Sequence, residues 1–412
     1  MWRMIAPALA LAFAIVPRAA SSQTPSDDAT VVVLSFDGFA EDYLGRERLP
    51  NFQRLMVRGT HADALIPPFP SKTFPSHYTM ATGLYPGHHG IVASQFYDPV
   101  RKAWFRGNAS VGDGSWFGGE PIWVTAERHG IRSATYFWPG SEAAIEGVRP
   151  TYYKIFDPKV ADSAKVDQIA AWLRAPNEQR PRLVMAYFPE VDTAGHYHGP
   201  QSLEVHNALR AADQTLGRML DSLDARAHDL TIEIVVVSDH GMAAVPKSQV
   251  VYLDDAANLD SVLVKNERAT ASVWSPANHA RIDTVYEGLK RALMHARVYR
   301  LAALPARWHT DDNPRLGELL IVAEPGWALG SHKPPMPINP GEHGYDNADS
   351  SMRGILIAAG PRIPMNQRVP ALENVIVYSL IAELLGIPPA PGIDTPSDAL
   401  RPLRLLPVTV AR

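Results

Sequence analysis

The sequence contains no cysteine in 412 residues. Disulfides and a lipid-bearing cysteine are therefore excluded, so stability must come from packing or from metal ions. A basic cluster is also missing. The net charge is −4, which gives no groove for nucleic acid. Beyond the N-terminus no apolar run reaches the roughly 20 residues a membrane span requires, so no transmembrane segment is expected. There are no internal repeats, and nothing in the sequence fixes an oligomeric state. What is present is apolar material: 46% hydrophobic against 20% charged residues. That is enough for one large α/β domain with an insertion, or for two domains.

The N-terminus has three parts. Arg3 precedes an apolar run over residues 5–16, and Ala19-Ala20-Ser21-Ser22 follow. This pattern predicts a signal peptide over residues 1–22 and hence a periplasmic or secreted chain. Residues 23–412 then form one α/β domain. Within it, the runs 31–36, 133–137, 183–188, 232–237 and 354–359 are strand-like and mostly apolar, broken only by Ser35, Ser133, Thr135, Glu233 and Gly354. Such runs predict strands buried on both faces, as in a largely parallel sheet. Helices are predicted over 49–58, 162–173, 203–226 and 374–385. In the third of these, Leu209, Ala212, Leu216, Met219, Leu220 and Leu223 recur at intervals of three and four. From about residue 251 to 320 the pattern weakens, which predicts a small inserted cap. Residues 331–340 hold four prolines and should be an extended loop.

The chemistry-bearing residues cluster where the strands end. Asp37 follows the first run. Asp192 and His196 follow the run 183–188, and Asp239 and His240 follow the run 232–237. The carboxyl ends of parallel strands are where α/β proteins build their sites. A spacing of four puts Asp192 and His196 on one side of a helical turn. His343 lies just after the proline loop. His88, His89, His198 and His206 read as loop or surface residues.

Thr73 stands two residues before Pro75, which predicts a helix opening at Pro75 with Thr73 at or near its N-cap. Unpaired N–H groups there attract phosphate. Alone, Thr73 reads as a cap; beside six carboxylate and imidazole groups it reads as a nucleophile. This ligand set without cysteine suits zinc, with manganese or iron as the other options. Two ions roughly 4 Å apart would stabilise the attacking and leaving oxygens of a displacement at phosphorus. One of them would hold Thr73 as an alkoxide.

Six stretches carry a resemblance: Ser35-Phe36-Asp37-Gly38, Lys72-Thr73-Phe74-Pro75-Ser76-His77-Tyr78, Gly83-Leu84-Tyr85-Pro86, Phe137-Trp138-Pro139-Gly140-Ser141-Glu142, Ser238-Asp239-His240-Gly241-Met242 and Gly341-Glu342-His343-Gly344. In this order they resemble the nucleotide pyrophosphatase/phosphodiesterase family of the alkaline phosphatase superfamily. The resemblance implies two zinc ions per chain. Asp192, His196 and His343 would bind one, and Asp37, Asp239, His240 and Thr73 the other. It also implies attack by Thr73 on a small nucleotide or other phosphodiester. A phosphothreonine would form, a zinc-activated water would hydrolyse it, and a nucleoside monophosphate would be released. Phe74 and Tyr153 match positions that sandwich a nucleobase. The chain departs from the family where an asparagine usually follows His-Gly-Ile-Val-x: here Ser94 and then Gln95 stand there. The rival readings are a phosphomonoesterase, a choline-type lipid-headgroup phosphodiesterase, and a zinc-dependent binding protein without turnover.

Overall fold

A computed structural model describes residues 29–276 and 280–407. The predicted signal peptide lies outside the described residues. The first six strands of the central sheet are β1 (Thr30–Phe36), β2 (Gly59–Ala62), β3 (Ser133–Tyr136), β4 (Tyr152–Lys154), β5 (Leu183–Phe188) and β6 (Ile232–Val237). A four-stranded antiparallel sheet follows: β7 (Leu263–Asn266), β8 (Thr270–Trp274), β9 (Ala296–Arg300) and β10 (Leu319–Ala323), in spatial order β7-β8-β10-β9. The chain then returns to the central sheet with β11 (Leu356–Ala359) and β12 (Gln367–Val369).

The central sheet has eight strands in the order β12-β2-β11-β6-β1-β5-β3-β4. Its middle is parallel: β1 pairs with both β5 and β6 in that sense. β11 runs antiparallel to both of its neighbours. The sheet is therefore mixed but largely parallel, as the mostly apolar runs required.

Alternate residues of each run pack on opposite faces. Val31 and Val33 join a core with Tyr78, Met80 and Ala81 of helix α2 and with helix α7. Val32, Leu34 and Phe36 join the core formed with α1, α3 and α5. These helices are α1 (Pro50–Arg58), α2 (Thr73–Thr82), α3 (Asp162–Arg174), α4 (Glu190–His198), α5 (Leu203–Asp224), α6 (Ala280–Ala292) and α7 (Ile376–Leu385). The result is three layers, helices on both faces of a sheet. The second sheet packs with α6 around its own core of Val273, Val285, Leu289, Leu319 and Ile321. No described helix is long and apolar enough to cross a membrane.

One buried acid lies far along β6 from the strand's carboxyl end. Glu233 is fully buried; its Oε1 accepts from Arg362 N at 3.0 Å and its Oε2 has no partner. Burial pushes its pKa up to about 7. The folded protein therefore binds this proton more tightly than the unfolded chain does. Stability from this group is complete below the ordinary glutamate range and is lost as pH rises towards 7. A shift of this size corresponds to roughly 3 kcal/mol. Urea unfolding at pH 5 and pH 8 should show wild type losing stability that Glu233→Gln does not lose. An equal change in both proteins would contradict this.

Candidate active site and metal centre

β6, β1 and β5 are neighbours, so their carboxyl ends lie side by side. Asp37 leaves β1, Asp239 and His240 follow β6, and β5 runs through Pro189 into α4. α4 carries Asp192 and His196 one turn apart, and Asp192 N donates to Asp37 O at 3.0 Å. Gly38 permits this approach. It has φ +66°, and a Cβ there would lie 2.8 Å from Asp192 Cα. His343 enters from the far side, with its Nδ1 bonded to Ser71 O at 2.9 Å.

Helix α2 begins at Thr73, two residues before the predicted start. Pro75 is its third residue. The first-turn N–H groups have no intrahelical acceptor, so proline is tolerated throughout that turn and does not mark the first position. The first helical bond runs from Ser76 N to Lys72 O at 2.9 Å. Thr73 is thus the opening residue, half-buried, with Oγ1 3.3 Å from His240 Nε2.

The ring protons are set by backbone carbonyls, which only accept. Nδ1 of His196 donates to Gly341 O, Nδ1 of His240 to Gly241 O and Nδ1 of His343 to Ser71 O, each at 2.9 Å. Every Nε2 is therefore a bare lone pair. His196 Nε2 and His343 Nε2 nonetheless face each other at 3.1 Å, and each lies 3.5 Å from Asp192 Oδ1. His240 Nε2 faces Asp239 Oδ2 at 3.0 Å and Asp37 Oδ1 at 3.4 Å. Asp37 Oδ1, Asp192 Oδ1 and Asp239 Oδ2 are buried without a hydrogen bond. A cation held between these crowded acceptors would satisfy them.

The spacing is close to that of a tetrahedral metal site of the kind zinc forms. Bonds of 2.0–2.2 Å at tetrahedral angles separate ligand atoms by about 3.3–3.6 Å. Two groups emerge: Asp192 with His240 and His343, and Asp37 with Asp239 and His240, the ligand atoms of each within 4.8 Å of one another. His196 adjoins the first group, and His240 stands between the two.

Without an ion the buried charges compensate one another in part: burial opposes a proton on His240, but Asp239 beside it raises its pKa. Burial, then the Asp239 and Asp192 charges, raise the pKa of Asp37 well above the carboxylate range. Burial opposes ionisation of Asp239 too, but His240 and His77 hold it below that range. Burial, then His240 and His196, push His343 far below the usual imidazole value, into the neutral form that binds metal.

A supporting shell was not anticipated from sequence. Tyr187 Oη donates to Asp37 Oδ2. His77 sits one turn after Thr73, with Nδ1 bonded to Thr73 O at 2.9 Å and Nε2 2.8 Å from Ser35 Oγ. The four-residue interval from Thr73 to His77 was the available signal.

Phe74 is half-buried, edge-on to Phe105 with centroids 5.9 Å apart. Tyr153 is 39% exposed on edge strand β4, with the Arg149 guanidinium 5.9 Å from its ring centroid. Ser94 is half-buried. Gln95 is engaged elsewhere: its Oε1 accepts from Lys265 Nζ at 3.0 Å and its N donates to Glu267. His89 is buried against Thr79, contrary to its reading as a loop residue; the one-turn helix Pro86–His89 turns it inward. His88 bridges Asp311 and Asp394.

A family model described as type I phosphodiesterase / nucleotide pyrophosphatase matches residues 31–346. The chain is 37% identical to an uncharacterized pyrophosphatase/phosphodiesterase of Schizosaccharomyces pombe, covering 96% of this chain and 84% of that one. It is 34% identical to the venom phosphodiesterase of Macrovipera lebetinus and 35% identical to rat ectonucleotide pyrophosphatase/phosphodiesterase family member 1. It covers 91% and 88% of its own length in these two matches, but spans only 45% and 41% of theirs. Human ectonucleotide pyrophosphatase/phosphodiesterase 5 superposes with a TM-score of 0.86 at 30% identity, over 91% of this chain and 99% of that one. An inactive threonine-to-alanine variant of the murine protein, in complex with AMP, gives 0.86 at 31% identity, over 92% and 100%. The fold is alkaline-phosphatase-like, and the chain belongs to the type I phosphodiesterase/nucleotide pyrophosphatase family of hydrolases acting on phosphoric ester bonds.

Proposed function

We propose that this chain hydrolyses phosphodiester or phosphoanhydride bonds of nucleotides through a phosphothreonine on Thr73, releasing a nucleoside monophosphate. The observation that carries this is a single one. Three unpartnered carboxylate oxygens and three bare imidazole nitrogens converge beside a threonine hydroxyl at a helix N-terminus. Asp37, Asp192, His196, Asp239, His240 and His343 would hold two zinc ions. Bound there, the ions would offset the negative charge of the attacking and leaving oxygens.

The chain's own residues do the rest. Thr73 Oγ1 lies 3.3 Å from Nε2 of His240, the ligating atom of that ring, so an ion held there would lie beside the hydroxyl and favour loss of its proton. Attack forms the bond from Oγ1 to phosphorus and breaks the bond to the leaving group. Water then cleaves the phosphothreonine. The N–H groups of the first turn of α2 face a non-bridging oxygen. We assign the added donor to the half-buried Ser94, because Gln95 is exposed and Lys265 holds its Oε1. The AMP bound in the murine relative supports a nucleotide substrate, with Phe74 and Tyr153 on the base. We place the protein outside the cytoplasm, exported by residues 1–22. Residues 23–412 form its catalytic domain, with the insert at about 251–320.

The test compares a nitrophenyl ester of thymidine monophosphate, a choline-bearing diester and a nitrophenyl monoester. The nucleotide diester should be cleaved fastest. Alanine at both Phe74 and Tyr153 should raise its KM by about tenfold or more, because base stacking contributes roughly 1–3 kcal/mol per ring. A small bis-nitrophenyl diester should be little affected. Faster cleavage of the monoester or the choline diester would overturn the substrate class.

A further inference from the structure

The β7–β8 hairpin reaches from the insert to the active site. A bond from Glu267 N to Thr270 O at 2.8 Å closes its turn, with Glu267 and Arg268 at the tip. Glu267 meets Lys72, the residue before the nucleophile. Lys72 Nζ donates to Glu267 O at 3.2 Å and lies 3.5 Å from its carboxylate. The two side chains are only 6% and 12% exposed. Arg268 meets Glu342, the residue before His343. Its Nε lies 3.2 Å from Glu342 Oε1 and donates to Pro337 O at 3.0 Å. Glu342 Oε2 lies 3.7 Å from His196 Nδ1.

These contacts answer a physical need. Lys72 is the N-cap of α2, where the helix dipole disfavours a cation. Buried there, its ammonium requires a counter-ion, and Glu267 is the one in reach. The same ammonium fills the seam to the His343 loop: a Cβ on Gly344 would lie 2.8 Å from Lys72 Nζ. Ser71, next to it, accepts from His343 and donates to Tyr345 O at 3.1 Å. The depth of Lys72 in this seam thus sets where Thr73 sits against His343. Arg268 holds φ +65°, a conformation glycine adopts without strain. The turn alone is better served by glycine, so what arginine adds is the guanidinium on Glu342.

We propose that Glu267 and Arg268 are positioning residues of the active site. Glu267 fixes Thr73 through Lys72, and Arg268 fixes His196 and His343 through Glu342. This rests on the function proposed above and makes the insert part of the catalytic apparatus.

The test uses the zinc-loaded full chain, the nucleotide and bis-nitrophenyl diesters, and a chromophoric chelator that reports zinc release. Glu267→Gln should lower kcat by about tenfold or more on both diesters, with KM within about twofold, as expected for a misplaced nucleophile. Arg268→Gly suits the turn and keeps the fold. It should speed zinc release by about fivefold or more, in the way loss of an outer-shell partner weakens a metal site. A loss confined to the KM of one diester overturns the inference. So does near-wild-type kcat in Glu267→Gln together with wild-type zinc release in Arg268→Gly. A wild-type chain that holds no zinc and cleaves neither diester would bring down the proposed function itself, and this inference with it.

Discussion

Thr73→Ala should lose turnover of a nucleotide nitrophenyl diester by roughly four orders of magnitude, the scale expected when a covalent nucleophile is removed. The fold should survive. Thr73 is half-buried, and among the described residues its hydroxyl bonds only to His240 Nε2, at 3.3 Å. Its backbone carbonyl, which receives His77 Nδ1, is unchanged by the substitution. The thermal midpoint should therefore move little. Thr73→Ser keeps the hydroxyl at the same helix position and should keep a good part of the rate. Serine loses the branched Cβ that restricts χ1, so some loss of orientation is expected. An alanine variant within about tenfold of wild type would rule out covalent catalysis by this residue.

Exhaustive chelation should abolish activity and also destabilise the fold. Asp37, Asp192 and Asp239 present unpartnered oxygens to one another, and an ion between them cancels their repulsion. At free zinc about 1,000 times the dissociation constant, each ion adds about 4 kcal/mol of stability, about 8 kcal/mol for two. For a chain of this size that is about 10 °C in Tm. Activity and Tm should fall together on chelation and return together on adding zinc. Occupancy should also fall in acid, because imidazoles bind only when neutral. Full activity in a metal-free preparation would contradict the two-zinc reading.

The central strands were legible because they are buried on both faces. Residues 31–36 and 232–237 are apolar almost without interruption, and burial on two sides is what makes such a run. The grouping of the candidate ligands was legible for a related reason. Asp37, Asp192 and Asp239 stand where those runs stop, so position along the chain predicted position at the sheet edge. The start of α2 was misplaced because proline is compatible with the whole first turn of a helix, not only its first residue. The second sheet was not legible strand by strand: β7 is half-buried throughout and gives a weak pattern. Its tip was invisible, since the Lys72–Glu267 pair joins residues 195 apart. No periodicity encodes a contact of that separation. The antiparallel direction of β11 was equally hidden, since a fully buried strand reads the same either way.

The account turns on Thr73 attacking phosphorus, and stereochemistry tests this most directly. A nucleotide phosphorothioate diester of known chirality would be hydrolysed in isotopically labelled water, and the configuration at phosphorus of the product determined. Transfer to Thr73 and then to water is two in-line displacements, so the account predicts retention. Inversion would mean that water attacks directly, and it would contradict the phosphothreonine at the centre of this account.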